Sequence, residues 1–393
     1  MSSPPTFADG GGLRVLITNR VLANRTGTEL YVRDLALELL RRGHHPIAYS
    51  PLLGRVAEEL RAATVPVVDD LAAVGAVPDV IHGHHGLETL AALLAFPGVP
   101  AVAFCHSWTG WPDAPVRFPR ILRYVAVDHT CRDRLTSRHG IPPELVHVVL
   151  NFVDLQRFPP RAPLPARPRR ALVFSNAAGG RGSQLDAVRQ ACSRAGIELE
   201  VAGSRSGNPL ARPEEVLGGY DLVFAKARAA LEAMAVGAAV VLCDASGAGP
   251  MVTTANLDRL RPLNFGIRTL REPATAEVLA REIARYDAAD AAAVSRRVRE
   301  SAGADAAVDD LLGVYEEVIA EHRLRPADLA AEERAAAAYL QSLAPRLHQR
   351  DLLKLAFAQL LRLPGVGALA RARARREDRG HWLPQLLASL EQE

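Results

Sequence analysis

The sequence predicts an α/β protein of two doubly wound domains with a helical C-terminal extension. Three observations carry this reading. Apolar runs of strand length alternate with helical-period runs over roughly the first 150 residues. A proline-dense break follows, after which the alternation restarts. Beyond residue 320 the pattern is helical without strands. Strand–helix alternation of this kind implies parallel sheets covered by helices on both faces.

Residues 1–12 are rich in Ser, Pro and Gly and read as a loose tail. They lack the basic start and apolar core of a signal peptide. The first domain is expected over 13–158. Leu13 to Thr18 opens it as a strand, and Thr28 to Arg42 follows as a helix closed by Gly43. Strands are expected at His45 to Tyr49, Val65 to Val68, Asp79 to His82, Val99 to Cys105, Tyr124 to Val127 and Val146 to Leu150. Helices fall at Val56 to Ala62, Gly86 to Leu94 and Thr130 to Arg138. Residues 159–170 form a stiff Pro-rich linker.

The second domain is expected over 171–320. Its strands are Ala171 to Phe174, Leu199 to Ala202, Leu222 to Phe224 and Val240 to Leu242. Its helices are Ser183 to Ala195, Ala229 to Val236, Thr275 to Tyr286 and Ala307 to Ile319. Residues 321–393 form the extension: Ala330 to Leu343 favours helix, Leu352 to Leu363 is apolar, and Ala368 to Arg379 is basic.

Composition narrows the function classes. Hydrophobic residues make up 49% and charged residues 23%, as in an ordinary soluble domain. A net charge of +3 without a dense basic stripe excludes an electrostatic nucleic-acid binder. No stretch of about 18 uncharged apolar residues is present, so no spanning helix is expected. Cys105, Cys131, Cys192 and Cys243 stand singly and read as buried thiols in a reducing, cytoplasmic setting. Lys226 and Lys354 are the only lysines.

The most informative run is "KARAALEAMAVGAAVV", Lys226 to Val241. It puts one acid, Glu232, on a helix just past the carboxyl end of a strand, where open α/β sheets bind ligands. A carboxylate there can accept two bonds from a vicinal diol such as a ribose. The wording resembles the nucleotide-sugar signature of retaining family-4 glycosyltransferases of the GT-B fold, in which two Rossmann-like domains face a cleft. "HGIPPELVHVVLNFVDLQRF", His139 to Phe158, resembles that family's crossing into the second domain, with Phe152 in place of its glycine.

The resemblance implies further roles. Gly27 and Thr28, in the turn after the first strand, would face the donor diphosphate; the same residues also read as an ordinary helix start. His106, at the end of its strand, matches a histidine that touches the donor sugar near the reacting carbon. Asn176 stands where the family has an arginine, and Arg181-Gly182 stands at its Lys-Gly. Arg181 keeps one cation for the diphosphate, and Lys226 offers a second. Glu232 matches the second acid of the family's Glu-x7-Glu pattern, and Phe224 replaces the first. Gly247 and Gly249 fall in the loop that receives the sugar or phosphates.

His82, His84 and His85 invite a metal reading. No acid or cysteine stands at ligand spacing, so no metal is expected. His84, His85 and Trp108 read instead as an acceptor wall. The expected reaction is glycosyl transfer from a nucleotide-diphosphate sugar, with retention and without a cofactor, to a saccharide, lipid-linked or small-molecule acceptor. A nucleotide-sugar 2-epimerase and a non-catalytic nucleotide-sugar-binding protein are the alternatives. The extension reads as a cap packed over the first domain, or as a peripheral contact with an anionic membrane.

Overall fold

The computed structural model describes residues 11–179, 184–210, 212–325 and 327–361. Two lobes carry one sheet each. The first runs β1 (Arg14–Thr18), α1 (Gly27–Arg41), β2 (His45–Tyr49), α2 (Arg55–Ala62), β3 (Val67–Val68), β4 (Val80–His84), α3 (Gly86–Ala95), β5 (Ala101–Cys105), β6 (Ile121–Ala126), α4 (His129–Asp133) and β7 (Val146–Val148). Its seven strands are all parallel, in the order β3-β2-β1-β4-β5-β6-β7. The order reverses between β1 and β4. Ile17 pairs with Ala48 on one side and His82 on the other. Crevices at carboxyl ends beside such a reversal are where doubly wound sheets take ligands.

The second lobe runs β8 (Arg170–Phe174), α5 (Leu185–Ala195), β9 (Glu198–Ala202), α6 (Pro213–Val216), β10 (Leu222–Ala225), α7 (Ala227–Val236), β11 (Ala239–Asp244), β12 (Gly247–Met251), α8 (Leu257–Leu260), α9 (Ala276–Ile283) and α10 (Ala288–Ser301). The sheet order is β12-β11-β10-β8-β9, parallel except for β12. Alternate residues of its strands feed separate cores on the two faces. Val223, Val240 and Leu242 enter one, while Leu222, Phe224 and Val241 enter the other. This period of two is what a strand covered on both faces requires.

The chain crosses between lobes twice, and the crossings lie side by side. The Val153 amide donates to the Ala302 carbonyl at 2.9 Å. Phe152 still packs in the first core, whereas Val153 and Phe158 pack in the second. The changeover therefore comes ahead of residue 158, where the sequence put the domain end. After the second crossing, α11 (Ala304–Leu324) returns to the first lobe. Val308, Leu311, Leu312, Tyr315 and Val318 fill its core. The helix expected at Ala307 to Ile319 in the second domain thus belongs with the first.

Other expectations change as well. The loop expected at Gly247 and Gly249 is instead strand β12. Residues 288–301, left without an element, form α10 behind an Asp287 cap. The helix expected over Thr130 to Arg138 becomes α4 and a wider π turn, Arg134–Arg138. The extension begins with one helix, α12 (Leu329–Leu361), which runs through Pro345. Its first turns cap the first lobe. Arg120, almost fully buried, donates to Glu332 at 2.8 Å and to the carbonyls of Leu93 and Val99. The basic run Ala368 to Arg379 lies outside the described residues. Among the described residues no helix is long and apolar enough to cross a membrane.

Leu311→Ala tests the placement of α11. A cavity at this buried site is expected to cost about 2–5 kcal/mol. Hydrogen exchange should speed up in β5 and β6 of the first lobe and stay unchanged in β10 and β11. Faster exchange confined to the second lobe would contradict the packing.

Candidate active site at the lobe interface

The carboxyl ends of both sheets face one another. From the first lobe come the start of α1 and the segments after β4, β5 and β6. From the second come α7 and the segment 261–268. Arg268 joins them on one side: it pairs with Asp133 at 2.5 Å and lies over the Trp108 ring at 4.8 Å. Arg261 donates to the Asn151 carbonyl at 2.7 Å. Backbone strain gathers at the same place. Ala227, Asn264 and Phe265 all have left-handed φ, of 51°, 51° and 52°, and the Ala227 amide donates to Phe265. Such strain in non-glycine residues persists only where surrounding contacts impose it, commonly at functional sites.

A buried ion cluster bridges the two lobes. Arg228, in the first turn of α7, donates to Glu232 at 2.7 Å and pairs with Asp34 of α1. Asp34 also accepts from Arg33 at 2.6 Å. Arg157, from the crossing, lies 3.9 Å from Asp34 and pairs with Glu214 at 2.8 Å. Burial alone would raise the Asp34 pKa, but Arg228 and Arg33 outweigh it and hold the carboxyl below its usual range. For Glu232 burial dominates, and Arg228 offsets it only in part, so its pKa is raised. Oε1 of Glu232 is occupied by Arg228, and no donor among the described residues reaches Oε2.

The first-lobe wall is aromatic and uncharged. His82 and His84 are completely buried in β4, which runs two residues beyond its expected end at His82. Tyr315 of α11 bonds His82 Nδ1. His82 Nε2 lies 2.8 Å from His84 Nε2, and His84 Nδ1 lies 2.7 Å from His106 Nε2. Tyr31 of α1 sits edge-on to His106 at 4.9 Å. Its hydroxyl is buried and has no hydrogen-bond partner among the described residues. Burial drives the pKa of His82 and His84 far down, and burial with His85 brings His106 from 6.5 to about 3. All three rings are therefore neutral near pH 7. Among the described residues no group of three or more His, Cys, Asp or Glu is set to hold a metal ion.

Residues 71–157, which contain β4, β5 and this wall, match Glycosyltransferase Family 4. In structure the chain is similar to a glycosyltransferase from Rickettsia africae, with 15% identity and a TM-score of 0.58 over 78% of this chain and 99% of that one. It is also similar to HepE from Anabaena, solved in complex with UDP and glucose. There the identity is 14% and the TM-score 0.55, over 78% of this chain and 100% of that one. No curated protein sequence matches. Residues 71–157 thus resemble a glycosyltransferase family, and the chain as a whole has the GT-B fold.

The GT-B frame brings some of the sequence-predicted residues together and separates others. Glu232 and His106 lie on opposite lobes of the interface. Lys226 stands at the end of β10 and pairs with Asp244 at the end of β11. Gly27 borders open space. Thr26, not Thr28, caps α1, with Glu29 accepting from the Thr26 and Asn24 amides at 2.8 Å each. The Asn176 side chain accepts from the Ser204 amide and hydroxyl, which ties two loops together. His84 is sealed in the core, which removes it from any acceptor surface. His85 is half-buried, with left-handed φ of 64°, and accepts from the Arg20 amide. Gly247 and Gly249 have an internal reason to be glycine. A Cβ would come within 2.7 Å of the Glu272 carbonyl or 2.6 Å of the Thr269 carbonyl. Arg181 and Gly182 lie outside the described residues.

Sequence reading missed Asp34, Arg228, Arg268, Tyr31 and Tyr315. Only Arg228 had a local signal, its i,i+4 spacing to Glu232 on one helix face. The others act across long sequence separations.

Two outcomes follow from this geometry. In a double-mutant cycle, Asp34→Ala and Arg228→Ala are expected to couple by about 0.5–3 kcal/mol in chemical denaturation; additive effects would show that the pair is not formed in solution. The second concerns pH. A histidine whose folded pKa is depressed leaves stability intact above the unfolded pKa, and that stability is lost on acidification. The window runs from 6.5 down to about 4 for His85 and about 3 for His106. Each such histidine contributes a slope of about 1.4 kcal/mol per pH unit. His106→Gln should remove one proton's worth of slope from stability measured between these limits. An unchanged slope would show that His106 is not held neutral.

Proposed function

We propose that this chain transfers a glycosyl group from a nucleotide-diphosphate sugar to a saccharide, lipid-linked or small-molecule acceptor, with retention and without a metal ion. One observation carries the reading: His106 and Glu232, on opposite lobes, border the same interface at the carboxyl ends of the parallel strands of the two sheets. HepE, of similar fold, was solved in complex with UDP and glucose.

The donor's nucleotide would lie on the second lobe. Glu232 offers Oε2 to a ribose hydroxyl while Arg228 retains Oε1. Lys226, Arg181 and the amino end of α1 at Gly27 and Thr28 would draw the diphosphate, with Asp244 releasing Lys226 to it. Loss of a cation at Asn176 leaves these groups to stabilise the charge that gathers on the departing phosphate. The acceptor would enter from the first lobe, past His85 and Trp108. Closure of the lobes aligns the reactants and excludes water that would hydrolyse the donor. The family resemblance supports front-face transfer, in which the leaving phosphate takes the acceptor proton.

The test is a panel of nucleotide sugars screened for thermal stabilisation, with each hit then assayed for transfer. Glu232→Gln is expected to weaken nucleotide binding by about 1.5–3 kcal/mol, roughly 10- to 150-fold in Kd. Unchanged affinity in the variant would remove Glu232 from the ribose role. Isomerisation of a donor without acceptor would replace transfer with epimerisation.

A further inference from the structure

The histidine chain determines more than the presence of His106. Its three contacts run from Tyr315 to His82, from His82 Nε2 to His84 Nε2, and from His84 Nδ1 to His106 Nε2. Each contact holds one proton, and each neutral imidazole has one N–H to give. The direction is set at the buried end. Tyr315 is completely buried, and among the described residues His82 is the only hydrogen-bond partner of its hydroxyl. Were His82 the donor there, the hydroxyl hydrogen would be buried without an acceptor. Tyr315 therefore donates to Nδ1 of His82. The His82 proton then sits on Nε2 and goes to His84. The His84 proton sits on Nδ1 and goes to His106 Nε2. A half-turn flip of the His82 or His84 ring would put carbon where a bonded nitrogen stands and break the chain.

We propose that Tyr315, His82 and His84 are positioning residues, a one-way hydrogen-bond chain that fixes His106 as its Nδ1–H tautomer and makes it a hydrogen-bond donor to a sugar oxygen. The sugar-contact part rests on the proposed transfer function; the tautomer does not. His106 is partly exposed, and no protein group among the described residues bonds its Nδ1. Its lone pair at Nε2 is already used by His84. His106 thus reaches a ligand through an N–H, which selects an oxygen acceptor and leaves no free basic nitrogen to take a proton from the acceptor hydroxyl.

Nitrogen-15 NMR of the full-length chain with labelled histidine reads the tautomers directly. Signals are assigned by their loss in His82→Gln, His84→Gln and His106→Gln. The expected pattern at pH 7 is N–H at Nε2 of His82, at Nδ1 of His84 and at Nδ1 of His106. Tyr315→Phe keeps the ring and deletes the donor, so His106 should lose its single tautomer and populate both. An N–H at Nε2 of His106, or a doubly protonated ring, overturns the proposal. So does a His106 spectrum unchanged by Tyr315→Phe. If that variant does not fold, the pattern of the three wild-type rings decides. The spectrum needs no donor substrate. Failure to detect transfer leaves the tautomer result standing, and a wrong tautomer leaves the transfer reading standing.

Discussion

The two lobes meet across charge that has been taken out of water. Asp34 on α1 is buried against Arg33 and Arg228, and Arg228 in turn holds Glu232 on α7. A buried acid without a cation would be costly, so the roll of α1 and that of α7 are tied to one another. The net worth of such a cluster is modest, because attraction inside the protein largely repays lost hydration. Separation of the lobes returns every member to water. An apolar contact of the same size would resist opening far more strongly. Such a contact is compatible with the lobe closure proposed above.

The opposite wall solves a different problem. The first lobe brings several polar rings to the sheet end without bringing charge. Burial keeps His82, His84 and His106 neutral, and they satisfy one another in series. Aromatic neighbours on both sides leave little rotational freedom. One wall is therefore a fixed dipole array, and the other is an exchangeable salt cluster. Preorganised dipoles of this kind act without reorganising at the moment of reaction.

Much of the fold was legible in the sequence because local pattern and final environment agree. The strands buried on both faces read as short apolar runs, and Glu232 stood out as a single acid within an apolar helix. Strand β12 was illegible because "GAGPM" has the composition of a turn. Its glycines let the carbonyls of Glu272 and Thr269 approach where a Cβ would clash. Helix α10 lacked a clear apolar stripe, as alanine and arginine dominate it. Tyr315 and His82 are separated by 233 positions, so no window of sequence could pair them. The same distance hid the allegiance of α11, whose apolar face suits either core equally well.

The return of α11 also bears on biosynthesis. The first lobe's sheet emerges from the ribosome early, but the helix that completes its core is encoded after the whole second lobe. At about 5–20 residues per second, the nascent first lobe waits through the translation of its partner with one flank uncovered. Until Tyr315 arrives, His82 lacks the hydroxyl that sets the order of protons in the wall. The histidine wall is therefore completed late, from a piece of chain that the ribosome supplies after both sheets are made.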